Sequence, residues 1–204
     1  MKTITFDNTQ DWLTYRLGRI TGSRLGAVLP GKTKGSLGAE MWKIVAEHMA
    51  HPFPEDIHYT TWGNMQEPYA IMAYEKKTGY KVPLDKFMWQ DEDEPMIATT
   101  PDGDVVNEPG FIEIKSKMPH NHLQIIDDGI VPKEHLDQII NAFIVNKSKE
   151  WCDFIAWCPL MYDENLQLFV KRITRAEISE QIEEKERLLR GQIALARIVI
   201  ASFK

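Results

Sequence analysis

The sequence predicts an α/β (α+β) fold, a central mixed β-sheet flanked by helices. Three observations support this. Stretches with helical periodicity occupy both ends, at 38–50, 60–78, 134–146 and 176–201. Short runs of strand-like composition crowd the middle, between 80 and 116. The run from Trp151 to Trp157 is apolar on both faces, as a central strand is. A chain of 204 residues falls within the range of one domain, 1–204.

Taken in order, residues 8–17 read as a first helix with Asn8 or Thr9 as its cap. Thr21-Gly22-Ser23 starts a second helix that runs to about Val28, and Gly31 to Gly35 is a flexible basic loop. Residues 38–50 form an amphipathic helix with Met41, Ile44, Val45 and Met49 on one side. His51 to Ile57 is a loop with two prolines. Residues 60–78 form a long helix ended by Gly79. Met65, Tyr69, Met72 and Ala73 recur in it at helical spacing and are expected in the core. Glu67 lies near its start, where the helix dipole favours an acid.

Strands are expected at 80–83, 86–90, 95–99, 103–107 and 111–116. The helix 134–146 turns Leu136, Ile139, Ile140 and Phe143 inward, with Gln138 one residue off that stripe. Strands at 151–157 and 166–173 follow. The closing helix 176–201 carries Ile178, Ile182, Leu189 and Ile193 on one face and Glu180, Glu183, Glu184 and Glu186 on a solvated one.

Composition narrows the function. With 43% hydrophobic and 26% charged residues, the chain can build an ordinary core. It holds no run of about 18 apolar residues, so no membrane span is expected. The segment Met1 to Asp7 lacks the apolar stretch of a signal peptide, which points to the cytoplasm. Cys152 and Cys158 would share one strand face about 20 Å apart, too far for a disulfide, and read as core thiols. The net charge of −6 means that any nucleic-acid partner must be met by local basic clusters. Arg16, Arg19 and Arg24 form one, and Lys115 with Lys117 forms another.

The chemistry concentrates in Thr99-Thr100-Pro101-Asp102-Gly103 and Phe111-Ile112-Glu113-Ile114-Lys115. Asp102 sits at a Pro/Gly turn, where it can lie at a strand edge. Glu113 and Lys115 are two apart on an apolar strand and therefore face the same way. Two carboxylates suit Mg²⁺, which takes oxygen ligands, and a lysine beside them can orient water or stabilise phosphate charge. Such a grouping suits a metal-dependent nuclease; a cross-strand ion pair on an exposed hairpin is the plainer alternative. His120 and His122 read as loop histidines, because Mg²⁺ prefers oxygen. His135 lies close to Gln138 in sequence, at the edge of the site or on the surface.

Further segments extend the pattern: Trp12-Leu13-Thr14-Tyr15-Arg16-Leu17-Gly18-Arg19-Ile20-Thr21-Gly22-Ser23, Trp62-Gly63 with Glu67, and Gln138. Together with Pro101-Asp102-Gly103 and Glu113-Ile114-Lys115, in this order, they resemble the lambda exonuclease (YqaJ-type viral recombinase) family of the PD-(D/E)xK nuclease superfamily. The resemblance implies a restriction-endonuclease-like core and an exonuclease that loads on a double-stranded DNA end. Such an enzyme digests one strand 5′ to 3′ and leaves 3′ overhangs for strand annealing. It implies Asp102, Glu113 and the Ile114 main-chain carbonyl as metal ligands, with Glu67 helping to hold the site. Lys115 would position the attacking water, with Gln138 near it. Arg16, Ser23 and Thr100 would take the 5′-phosphate. Two Mg²⁺ ions are implied, with Mn²⁺ able to substitute. So are a homotrimeric ring, a single-strand annealing partner, and action in a bacterial cytoplasm on behalf of a phage or prophage. The loop 51–61 is a candidate for the element that splits the duplex. One departure stands out: Ser116-Lys117-Met118-Pro119 replaces the Cys-Pro common after the family's Glu-x-Lys. An endonuclease of the same superfamily and a non-catalytic DNA-end-binding scaffold are the rival readings.

Overall fold

The computed structural model describes residues 39–52, 59–85, 87–95 and 97–202, with Asp11 and Thr14 ahead of them in helical conformation. Arg16, Ser23, the helix expected at 21–28 and most of the loop 51–61 lie outside the described residues. Helices α1 (Ala39–Met49) and α2 (Tyr59–Thr78) lead into a short antiparallel pair, β1 (Trp89–Gln90) and β2 (Ala98–Thr99). Next come β3 (Gly103–Asp104), β4 (Gly110–Ser116), α3 (Pro119–Asp128), α4 (Lys133–Val145) and β5 (Trp151–Trp157). A 3-10 turn (Glu164–Leu166), β6 (Leu168–Thr174) and α5 (Ser179–Ser202) complete the order.

The main sheet has the order β3-β4-β5-β6. Its β4–β5 pair is parallel and the two outer pairs are antiparallel, so the sheet is mixed, as expected. All seven residues of β5 are buried, the pattern of a strand covered on both faces. Helix α2 packs across β4, β5 and β6 on one face. There Ala70, Ile71 and Tyr74 meet Ile112, Ile114, Ile155 and Trp157. On the other face α4 and α5 cover Phe111, Phe154, Ala156 and Ile173.

A buried polar network pins α2 to the sheet. The Asp153 carboxylate accepts a two-pronged bond from Arg172, both prongs 2.8 Å, and a third from the Tyr74 hydroxyl at 2.7 Å. The Arg172 guanidinium lies 3.6 Å from the Trp151 ring centroid. Nearer the site, the Trp157 indole N–H donates to Gln66 of α2 at 3.4 Å.

Several expectations need correction. Met65, Tyr69 and Met72 are exposed (53–65%), and α2 buries Ala70, Ile71 and Tyr74 instead. The helix carries apolar residues on two faces, and periodicity alone does not choose between them; the small Ala70 lets the helix approach the sheet. Residues 80–83 form no strand: the Lys81 carbonyl accepts the Val106 N–H (2.9 Å), but the Val82 N–H goes to the Glu75 carboxylate (2.9 Å) and not to a ladder. The strands expected at 86–90, 95–99 and 103–107 shrink to two residues each. Residues 119–128 form a helix, and His122 is fully buried in it rather than in a loop, its Nε2 2.7 Å from the Leu166 carbonyl oxygen. Both cysteines are buried free thiols.

Candidate active site

The site begins with a truncation. Strand β3 pairs with only two residues of β4, Gly103 with Ile112 and Asp104 with Phe111. Among the described residues no strand pairs with 113–116 of β4 on that side, although β5 accompanies them on the other. The chain before β3 turns at Pro101-Asp102, and the Asp102 carboxylate accepts the Ile114 N–H at 2.6 Å. It stands where a ladder carbonyl would otherwise be. In an extended strand a residue's N–H and C=O leave by the same edge. The Ile114 carbonyl is therefore directed to the Asp102 side.

Close packing holds this corner. A Cβ on Gly103 would come within 2.2 Å of Val82, and one on Gly110 within 2.2 Å of the Trp151 ring. Lys149, nearly buried, binds Asp104 and reaches the Gly110 carbonyl at 3.3 Å, tying together both ends of the β3–β4 connection.

Glu113 and Lys115 share the face of β4 opposite Ile112 and Ile114, as their spacing predicts. The Lys115 ammonium is 2.5 Å from Glu113 Oε1. Glu113 is only 5% exposed. Burial first, then repulsion from Asp102, pushes its carboxyl up to about 7, against the pull of Lys115; Glu67 adds to the repulsion. Burial also raises Asp102, opposed by the Ile114 N–H and Lys115.

Glu67 comes from the other side. Together with Asn64, Asp102, Ile114, Lys115 and Ser116 it lines a cleft of about 250 Å³. Pro68 follows it inside α2 and has no N–H, so the Asn64 carbonyl loses its intrahelical partner. A second hollow of about 420 Å³ adjoins, bounded by Glu67, Asp85, Thr100 and Asp102 and by an apolar wall of Ile71, Leu84 and Phe87.

Of the residues singled out in the sequence, Asp102, Glu113, Ile114, Lys115 and Glu67 converge, and Thr100 borders the adjoining hollow. Gln138 is exposed on α4 and hydrogen-bonds to His135, whose Nε2 lies 2.5 Å from the Lys117 ammonium. Sequence reasoning missed Asn64 and Asp85. Asn64 is one turn before Glu67 on the same helix face, a signal that was present; Asp85 carries none. The Lys117–His135 contact joins residues 18 apart in sequence, and nothing in the sequence announces it.

Among the described residues no three Asp, Glu, His or Cys side chains gather tightly enough to enclose an ion. The oxygen donors at hand are the two carboxylates and the Ile114 carbonyl, with Glu67 lining the same cleft. Two crowded, half-repelled carboxylates are the kind of donor set that a hard divalent cation relieves.

A family model described as a YqaJ-like viral recombinase domain matches residues 11–148. Among solved structures, the chain is similar to an alkaline exonuclease from Laribacter hongkongensis. The identity is 24% over 96% of this chain and 100% of that one, with a TM-score of 0.56. The same exonuclease in complex with dAMP gives 23% identity, the same coverage and the same TM-score. A phage-related exonuclease from Haemophilus somnus 129PT matches at 15% identity, over 88% of this chain and 94% of that one, with a TM-score of 0.49. No curated protein matches significantly. At these identities the Laribacter likeness establishes a shared fold.

Proposed function

The chain belongs to the YqaJ-like viral recombinase family, and on that premise we propose that it is a metal-dependent DNA exonuclease. It acts on linear double-stranded DNA, degrades one strand 5′ to 3′, and leaves 3′ overhangs for recombination by strand annealing. The observation that carries this reading is the meeting of Asp102, Glu113 and Lys115 at the unpaired edge of β4.

Asp102, Glu113 and the Ile114 carbonyl would hold Mg²⁺, with Glu67 helping to hold the site, and the resemblance implies two ions. When bound, Mg²⁺ lowers the pKa of water and neutralises charge on a scissile phosphate. The protein's own part is positioning. Lys115, paired with Glu113, would turn a donor toward the attacking water. The water oxygen bonds to phosphorus, and the bond from phosphorus to O3′ of the terminal nucleotide breaks. O3′ leaves with a proton, and the shortened strand keeps a 5′-phosphate. Thr100 borders the hollow next to the carboxylates, where with Arg16 and Ser23 it would grip that phosphate for the next cycle.

The exposed Met65, Tyr69 and Met72 offer an apolar stripe of the kind that subunit contacts cover. It supports the ring trimer implied by the resemblance. No described helix is long and apolar enough to cross a membrane, and an annealing protein in a bacterial cytoplasm is the partner this function requires.

The decisive experiment is strand-resolved digestion of end-labelled linear duplex with Mg²⁺, alongside a covalently closed circle. Loss of linear DNA from its 5′ ends supports the proposal. Cutting of circles would favour an endonuclease, and binding without cleavage a scaffold.

A further inference from the structure

Resting on the DNA-hydrolase reading, we propose that Lys117 is a second contact to the DNA backbone phosphates beside Lys115, and that His135 positions it. The ladder of β4 continues past its end, with Lys117 N–H donating to the Trp157 carbonyl at 2.9 Å. Glu113, Lys115 and Lys117 thus follow at two-residue steps on the face beneath α4. From α4, His135 meets the Lys117 ammonium at 2.5 Å.

An ammonium can only donate, so the ring nitrogen facing it must be an unprotonated acceptor. The surroundings enforce this. The His135 ring stacks on Phe154 at 5.7 Å and 19°, and Gln138, one turn along, bonds to the ring's side chain. Burial, then the charges of Lys117 and Lys115, lowers the imidazole pKa to about 4.

Lys115 has a carboxylate, Glu113. Lys117 makes no ion pair with any described carboxylate. Glu134, the acid nearest on α4, lies 3.7 Å from the His135 ring instead. The charge of Glu134 reaches Lys117 only past that ring, and a half-buried ammonium whose hydrogen-bond partner is a neutral imidazole is costly. A phosphodiester entering the cleft would offset that cost, and lysine binds phosphate as a point charge. On this account Gln138 reaches the site through His135 and Lys117, not by touching the water itself.

The test is binding of end-labelled linear duplex in EDTA, followed by fluorescence anisotropy across a salt series, so that cleavage plays no part. Lys117→Met should weaken binding roughly tenfold or more. It should also flatten the dependence of log K on log salt by about 0.7–0.9, the share of one phosphate contact. Lys117→Arg should restore that slope. His135→Ala should weaken binding yet keep the wild-type slope, because the charge remains and only its hold is lost. Lys81→Met, an exposed lysine on Glu75, should change neither.

Wild-type affinity and slope in Lys117→Met would overturn the assignment. So would losses in Lys117→Met and Lys117→Arg alike that track a drop in melting temperature, since that marks a structural role. If the wild-type protein binds no duplex, the hydrolase reading falls, and the inference falls with it.

Discussion

Replacing Glu113 with glutamine should abolish cleavage and, without metal, make the protein more stable. The carboxyl of Glu113 rises from 4.5 to about 7, through burial and then the charge of Asp102. Each tenfold change in proton affinity is about 1.36 kcal/mol, so ionising Glu113 costs the fold about 3 kcal/mol. The sign follows from proton counting. Between the unfolded value and the folded value, the native state binds more protons than the unfolded chain. Stability therefore falls as pH rises through the window from about 4.5 to about 7, and it stays low above. Glutamine has no charge to desolvate, though it gives up the Lys115 pair. At pH 8 in EDTA, Glu113→Gln should gain about 2 kcal/mol, or roughly 4–8 °C in melting temperature for a domain of this size. At pH 5 the wild-type side chain is already protonated, and the two proteins should melt together. Mg²⁺ at a hundred times its dissociation constant should add about 2.7 kcal/mol to the wild type and little to the variant. Thermal unfolding by circular dichroism at both pH values, with EDTA or Mg²⁺, reads the stability changes, and digestion of linear duplex with Mg²⁺ reads the loss of cleavage. A variant no more stable than wild type at pH 8, or a gap that persists at pH 5, would refute the account of Glu113 as a carboxylate held under strain for a cation.

Three further outcomes are expected. Lys115→Met should slow single-turnover cleavage by at least about a hundredfold with only a small change in melting temperature; a large stability loss would mark the Glu113 pair as structural. A 5′-phosphorylated end should be degraded faster than a 5′-hydroxyl end, and Arg16→Ala should erase a preference worth about 1.5–3 kcal/mol; equal rates in the wild type would remove the phosphate pocket. Asp153→Ala should cost about 3 kcal/mol in chemical denaturation, because it strands Arg172 and the Tyr74 hydroxyl; a cost below about 1 kcal/mol would show that the network does not pin α2.

The legible part of this chain was the part whose signals are local. Glu113 and Lys115 betray their shared face by a spacing of two, and Asp102 betrays its strand edge by the Pro101 and Gly103 around it. The β5 run from Trp151 to Trp157, apolar on both faces but for Asp153, needed no neighbour to be recognised as a central strand. What failed depended on partners. Met65, Tyr69 and Met72 form as good a stripe as the residues that are buried, and only the sheet decides which side of α2 packs. Residues 119–128 hid a helix because it opens on Pro119 and carries His120, Asn121 and His122 early, where turn and helix compositions overlap. The strand expected at 103–107 ends after Asp104 because the chain turns back at once, with the Glu108 N–H donating to the Val105 carbonyl at 3.2 Å, and no propensity encodes that. Gln138, which the resemblance places near the water, is exposed on α4 and bonds to His135, and the Lys117–His135 contact beside it forms only when β4 and α4 pack together.

The brevity of β3 has a bearing on solubility as well. A bare strand flank in the middle of a domain is a template on which another chain can add a strand. Among the described residues no strand pairs with that flank at 113–116, yet Asp102 occupies the Ile114 amide, and Glu113, Lys115 and Glu67 surround it with charge that an incoming strand would have to strip of water. The groups that would serve hydrolysis thus also guard against polymerisation. Neutralising them would leave an apolar strand with its flank open, and the cost would be counted in aggregates during expression rather than in turnover.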